Sequence, residues 1–313
     1  MGTVNSGSFC GHYPIDYRLY LPGQDADFRI NCRFREIIME TEEHDSIEMR
    51  YRLMNFNNEI AVITGGYSGI GGAAAKKLLA NGATCVVLGR SADRANEFIK
   101  QLPEYEGKLH FFRADVAEVE ELERVIEKIG QEFGRMDMLV NSAGINFRKA
   151  AVDYTFADWK RIIDTNLAGT FFASTAAAKV MKRHNGGRIV NIGSMLSHYG
   201  VHNVSIYGAA KGGVSQITRT HAVEFADYGI RVNQVSPGYI ATPFVDLSLP
   251  ENLNYRDRLI NRTPLGRLGT AEDVANMIAF LLSHEASFVT GQIIAVDGGI
   301  LGGDPTLNPL MKV

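Results

Sequence analysis

Apolar and polar residues follow one another in blocks along most of this chain, and the block lengths repeat a rhythm. Short apolar runs, EIAVITGG (59–66), TCVVLGR (84–90), KLHFFRADV (108–116) and MDMLVNSAG (136–144), have the length of strands buried on both faces. Between them lie longer segments with apolar residues at helical spacing. GGAAAKKLLANG (71–82) reads as a helix stopped by Gly82, and SADRANEFIKQL (91–102) as a helix capped by Ser91. In EELERVIEKIGQEF (120–133), Leu122, Val125, Ile126, Ile129 and Phe133 share one helical face. The rhythm continues with a helix near 155–183, strand GRIVNIGS (187–194), helix 206–227, strand IRVNQVSPG (230–238), helix 271–283 and strand GQIIAVDGG (291–299). Strands joined by such helices need crossover connections. They predict an α/β protein with a doubly wound parallel sheet and helices on both faces, forming a single domain over residues 55–313.

Residues 1–54 break the pattern. They are polar and aromatic-rich without a clear period, apart from a charged stretch, REIIMETEEHDSIEMRYRLM (35–54), that suits a short helix. No basic segment followed by an apolar one marks a secretory signal, and the acidic residues argue against a transit peptide. The expectation is a loosely ordered N-terminal extension. Met39, Met49 and Met54 stand as alternative starts.

Composition narrows the function. Of 313 residues, 45% are hydrophobic and 21% charged, enough apolar content for a sizeable core, and the net charge of −3 gives nucleic acid no basic partner surface. No apolar run is long enough to cross a bilayer. Three cysteines, far apart and odd in number, speak against a disulfide framework and suit a reducing, cytoplasmic compartment. HYGVH (198–202) offers two histidines without a third ligand nearby, so no metal site is assigned.

The first candidate chemistry is TGGYSGIGG (64–72), between the first strand and the first helix. Gly65, Gly69 and Gly71 permit a tight turn in which backbone N–H groups and the helix N-terminus approach a pyrophosphate, as in the Rossmann fold. Tyr67, Ser68 and Ile70 complete the loop. An acidic residue at the end of the second strand would hold the ribose 2′-OH of NAD. Here Arg90 and Ser91 stand in its place. A guanidinium that forks onto a 2′-phosphate and a hydroxyl beside it favour NADP(H) over NAD(H). Asp115 is placed to accept from the adenine amino group, with Val116 against the ring.

These motifs, taken in order, resemble the classical short-chain dehydrogenase/reductase family over roughly residues 56–300. TGGYSGIG is similar to its cofactor loop and NSAG (141–144) to its N-N-A-G segment. Asn166 in TNLAGT, Ser194 in GSM, Tyr207 and Lys211 resemble its catalytic tetrad, and SPGYIAT (236–242) its P-G-x₃-T segment. Ser142 departs from the usual second Asn, and Ala210 from a frequent Ser. The resemblance implies cofactor contacts from Asn141, Ala143, Gly144, Tyr207, Lys211, Pro237, Gly238, Ile240 and Thr242.

Tyr207 and Lys211, four residues apart on a helix, share one face. A free phenol titrates near 10, and a neighbouring ammonium is expected to lower that value toward neutral pH, where general acid–base catalysis operates. Tyr207 is therefore the expected proton donor in carbonyl reduction and the acceptor in alcohol oxidation. Ser194 is expected to hydrogen-bond the substrate oxygen as charge develops on it. By resemblance, Lys211 also bonds the nicotinamide ribose and Asn166 holds a water that feeds protons toward Lys211. Hydride transfer belongs to the cofactor.

For the substrate, AGINFRKA (143–150), GSMLSHYG (193–200) and NRTPLGRLG (261–269) resemble the gluconate 5-dehydrogenase and 2-deoxygluconate 3-dehydrogenase branch, with residues 244–262 as a substrate lid. Arg148 suits a sugar-acid carboxylate. His198, Tyr199 and Tyr239 are candidate hydroxyl contacts. A sugar acid, polyol or similar small keto compound is expected. A β-ketoacyl-thioester reductase of the acyl carrier protein type has the same tetrad and stays open. So does a non-catalytic NADP(H)-binding sensor, although such a protein has no need of Tyr207 and Lys211. A serine hydrolase lacks the G-x-S-x-G elbow around Ser194. The resemblance also implies a homo-oligomer, a tetramer, joined through the helices near 155–183 and 206–227.

Overall fold

The structure is a computed structural model that describes residues 54–184, 186–242 and 253–305. Residues 1–53, on which nearly all of the expected N-terminal extension and its charged helix fall, lie outside the described residues, as do residues 243–252, which include 244–252 of the expected lid.

Seven parallel strands form one sheet in the order β3-β2-β1-β4-β5-β6-β7. They are β1 (Ile60–Thr64), β2 (Thr84–Gly89), β3 (Leu109–Arg113), β4 (Met138–Asn141), β5 (Gly187–Ile192), β6 (Ile230–Pro237) and β7 (Ile293–Val296). The helices are α1 (Gly69–Ala80), α2 (Ala92–Lys100), α3 (Val119–Glu132), α4 (Phe156–Ile163), α5 (Gly169–Lys182), α6 (Ser205–Glu224), α7 (Leu253–Arg262) and α8 (Ala271–Leu282). The doubly wound parallel α/β architecture is the one expected.

Residue alternation along the strands builds two cores. In β1, Ala61 and Ile63 point to one face with Leu78 of α1 and Val274 and Ile278 of α8. Ile60 and Val62 point to the other, against Ile126 of α3, Ala177 of α5 and Ala222 of α6. Because both faces are covered, all five β1 residues are buried, which is why the strands read as continuous apolar runs. Ser91 caps α2 as expected, its Oγ accepting from the Arg94 N–H at 3.3 Å.

The helix expected near 155–183 is not continuous. Between α4 and α5 the chain makes one wide turn, Asp164–Ala168, in which the Gly169 N–H reaches the Asp164 carbonyl five residues back. Such π-type turns cost regular hydrogen bonding and occur often at functional sites. This one carries Asn166.

Strand order reverses between β1 and β4, with β2 and β3 on one side and β5 to β7 on the other. In open α/β sheets, the crevice at the carboxyl ends of the strands beside such a reversal binds ligands. The Gly65–Gly71 turn follows β1 and Asn141–Gly144 ends β4, so both motifs border that crevice. Thr64 Oγ1 joins them, accepting from the N–H groups of Ser142 and Ala143, each at 3.1 Å.

Candidate active site

The glycine turn has the conformation its sequence implies. Gly65 and Gly69 have φ of 64° and 51°, in the left-handed region that favours glycine. A Cβ on Gly71 would lie 2.4 Å from the Gly65 carbonyl oxygen, so the turn closes on itself only without that atom. A Cβ on Gly69 would meet only Thr242, at 3.8 Å, which brings the turn opposite the segment after β6. Ser68, the residue before α1, makes no side-chain cap, so no side chain of that residue covers the first N–H groups of the helix. A bare helix start behind a glycine cradle fits a pyrophosphate.

At the end of β2, Arg90 is 66% exposed and lies 3.6 Å from an Asp115 carboxylate oxygen, a loose pair that leaves the guanidinium accessible. Asp115 also accepts from the Ala117 N–H. The Ser91 N–H donates to the Tyr67 phenol oxygen at 3.3 Å. The Tyr67 ring covers Gly89 so closely that a Cβ there would stand 2.3 Å from it. Asn141, Val116 and Ile240, expected at the cofactor, have buried side chains. The Asn141 amide is 3% exposed and donates to Ser174 Oγ and Asn191 Oδ1, in the layer beneath the crevice. The Val116 and Ile240 side chains pack into the two cores.

The four expected catalytic residues come from the C-terminal end of β5, the wide turn and α6. Ser194 follows β5, 8% exposed, and accepts from the Leu196 N–H. Its hydroxyl is hydrogen-bonded to the Tyr207 phenol. Tyr207 and Lys211, one turn apart near the start of α6, are 7% and 4% exposed. Lys211 Nζ donates to the Ile192 carbonyl at 2.7 Å and stands 5.7 Å from the centre of the Tyr207 ring.

Their titration corrects one expectation. Burial pushes the Tyr207 phenol up to about 12, only partly offset by the Ser194 hydrogen bond, and pushes the Lys211 ammonium down to about 8. Both groups are thus driven toward their neutral forms. Desolvation outweighs the expected lowering of the phenol by the ammonium.

Asn166 is fully buried and its amide is wholly engaged. Nδ2 donates to the carbonyls of Ile145 and Ile162, both at 2.9 Å, and Oδ1 accepts from the Ile145 N–H at 3.2 Å. It therefore clamps the segment after Gly144 to the wide turn. Its own carbonyl accepts from Thr170 Oγ1 at 3.0 Å.

Among the residues singled out for substrate, Arg148 donates to the His202 carbonyl at 3.1 Å and lies 5.7 Å over the Tyr255 ring. His198 is exposed. Tyr239 is hydrogen-bonded to Tyr199, and burial raises its phenol well above 10. Two residues escaped sequence reasoning: Tyr255, and Arg262, whose guanidinium lies 5.1 Å over the Tyr199 ring. Tyr255, Leu259 and Arg262 do recur at helical spacing, the signal that marks α7, but no helix is read there from sequence.

A reversal-point crevice with a glycine-rich turn, flanked by a phenol and an ammonium, fits a nicotinamide-dependent oxidoreductase of the doubly wound α/β class. The chain belongs to the short-chain dehydrogenase/reductase family: a family model described as enoyl-(acyl carrier protein) reductase matches residues 65–301. Cis-4-hydroxycyclohexanecarboxylate dehydrogenase of Sinomonas cyclohexanicum is 41% identical over 78% of this chain and 97% of its own length. The 3-oxoacyl-[acyl-carrier-protein] reductase of Thermotoga maritima is 38% identical over 79% of this chain and 100% of its own. The 2-dehydro-3-deoxy-D-gluconate 5-dehydrogenase of Formosa agariphila is 37% identical over 81% and 96%. Among solved structures, ElxO with NADP bound superposes with a TM-score of 0.74 at 34% identity, covering 78% of this chain and 99% of that one. No helix among the described residues is long and apolar enough to cross a membrane.

Proposed function

We propose that this protein interconverts a ketone and a secondary alcohol with NADP(H), on a small hydroxylated keto acid such as a sugar acid. The observation that carries the reaction is the buried set of Ser194, Tyr207 and Lys211 at the C-terminal end of β5. A bound nicotinamide supplies or accepts the hydride. Tyr207, neutral and protonated at physiological pH, gives its proton to the developing alkoxide while Ser194 donates a second hydrogen bond to the same oxygen. Lys211, positioned by Ile192, provides positive charge beneath the phenol as it gives up its proton, and would hold the nicotinamide ribose of a bound cofactor. Asn166 acts through the backbone: its amide is committed, so a relay water would rest on its carbonyl. Gly65, Gly69, Gly71 and the start of α1 would hold the pyrophosphate, with Thr242 opposite.

Preference for NADP(H) rests on accessible Arg90 and on the absence of an acidic residue at the end of β2. The ElxO structure, which holds NADP, supports the same choice. For the substrate, two relatives named for carboxylate-bearing alcohols support the keto-acid reading. The acyl carrier protein reductase of Thermotoga maritima supports the second reading, a β-ketoacyl thioester. Exposed apolar residues on α4, α5 and α6, namely Phe156, Trp159, Phe171 and Val223, support a homotetramer built through these helices. The unpaired, buried thiol of Cys85 is in keeping with a cytoplasmic protein.

The test follows absorbance at 340 nm with NADPH or NADH, supplying 5-keto-D-gluconate or acetoacetyl-CoA to wild type and Tyr207→Phe. NADPH-dependent reduction of the keto acid, lost in the variant, is the expected result. Turnover of the thioester alone would transfer the protein to the second reading.

A further inference from the structure

Beyond the reacting groups, three tyrosines meet at the carboxyl ends of β5 and β6. Tyr199 comes from the loop after β5, Tyr239 from the loop after β6, and Tyr255 from α7. Tyr199 and Tyr239 are hydrogen-bonded to each other, and Tyr255 is close enough to act on Tyr239 electrostatically. Tyr199 also reaches back to Met195 Sδ at 3.1 Å, which ties the group to the residue after Ser194. Arg262 lies over the Tyr199 ring at 5.1 Å and acts on Tyr239 in the opposite sense to the phenols.

Arg262 is held in place from behind. Its neighbours Leu259 and Thr263 are 3% and 5% exposed, Thr263 Oγ1 donates to the Leu259 carbonyl, and the Leu265 N–H donates to Gly298 beyond β7. Yet no carboxylate pairs with Arg262 among the described residues. A guanidinium on a fixed base, stacked on a phenol at the rim of the reaction site, has donors left for an incoming anion.

Resting on the reading of the β5–β6 end as the substrate mouth, we propose that Arg262 anchors a carboxylate of the substrate, with the Tyr199–Tyr239–Tyr255 group as the wall that meets its hydroxyls. The specificity of the enzyme is then for hydroxylated keto acids over neutral ketones of the same size. Arg262 sets this preference from α7, while Arg148, already engaged with His202, lies over the Tyr255 ring.

The experiment uses the full chain with NADP⁺ present and D-gluconate as probe, with D-sorbitol as its neutral counterpart, titrated calorimetrically into wild type, Arg262→Gln and Arg262→Lys. Wild type should bind gluconate at least about tenfold more tightly than sorbitol, the size of one charge-assisted contact. Arg262→Gln should erase that ratio and Arg262→Lys should restore part of it, which a merely structural loss would not do. Equal binding of the two probes by wild type, or an unchanged ratio in Arg262→Gln, would overturn the anchor. Oxidation of NADPH by wild type with 5-keto-D-gluconate is read separately. If it is absent while the gluconate preference holds, the anchor stands and the ketone reduction fails. If it is present without the preference, the reverse follows.

Discussion

Replacing Asn166 by Leu separates two roles that sequence alone merges. The native amide makes three hydrogen bonds in a fully buried position, two to Ile145 and one to Ile162. Leucine has a similar volume but strands one N–H and two carbonyls. Each stranded buried group costs about 1–3 kcal/mol, and part of this is offset by the added apolar burial. A net loss of about 3–5 kcal/mol is expected, and with it a fall in Tm of about 10 °C for a domain of this size. The assay is thermal unfolding followed by circular dichroism, alongside NADPH turnover. Asn166→Asp adds a sign test. Its carboxylate accepts from the Ile145 N–H but faces two carbonyls, and only its protonated form can donate to one of them. The native state therefore favours the protonated form, so the deficit should shrink as pH falls through the carboxyl's raised native titration. A Leu variant that melts with wild type yet fails to turn over would refute the clamp and leave Asn166 with a role in the reaction only.

Two further outcomes follow from the same geometry. The Lys211 ammonium titrates at about 8 instead of 10.5, so reduction should weaken as pH rises through 8. Between about 8 and 10.5 the unfolded chain holds a proton that the native chain does not, so wild type should gain stability relative to Lys211→Met across that window; denaturant melts at pH 7, 9 and 10.5 measure the difference, and a flat difference would contradict the burial argument. Gly89→Ala should displace the Tyr67 ring, since the new Cβ would stand 2.3 Å from it, and weaken NADPH binding about tenfold or more by fluorescence titration. The double change Gly89→Ala with Tyr67→Ser should recover most of that loss, and failure to recover would place the damage in β2 itself.

What could be read from the chain depended on whether the partners of a residue lie within one element. Strands buried on both faces, the Ser91 cap and the glycine turn between β1 and α1 are written in contiguous residues, and each is found where the pattern put it. The Tyr207–Lys211 spacing is equally local, and it places the two side chains on one helix face. The sign of their titration is not local. It depends on how much of β5, the loop after it and α6 closes over both groups, and no spacing rule counts that burial. The wide turn at Asp164–Ala168 is hidden for a related reason: the Asn166 amide within it is spent on Ile145, which is 21 residues away in the chain. Arg262 is the sharpest case. Its helical companions Tyr255 and Leu259 are visible in sequence, but its meaning arises only when α7 brings it over Tyr199, 63 residues earlier. Catalytic groups that must act together are held on short, rigid elements and leave compact motifs. Groups that choose the substrate are gathered from separate loops, and their chemistry exists only in the folded chain.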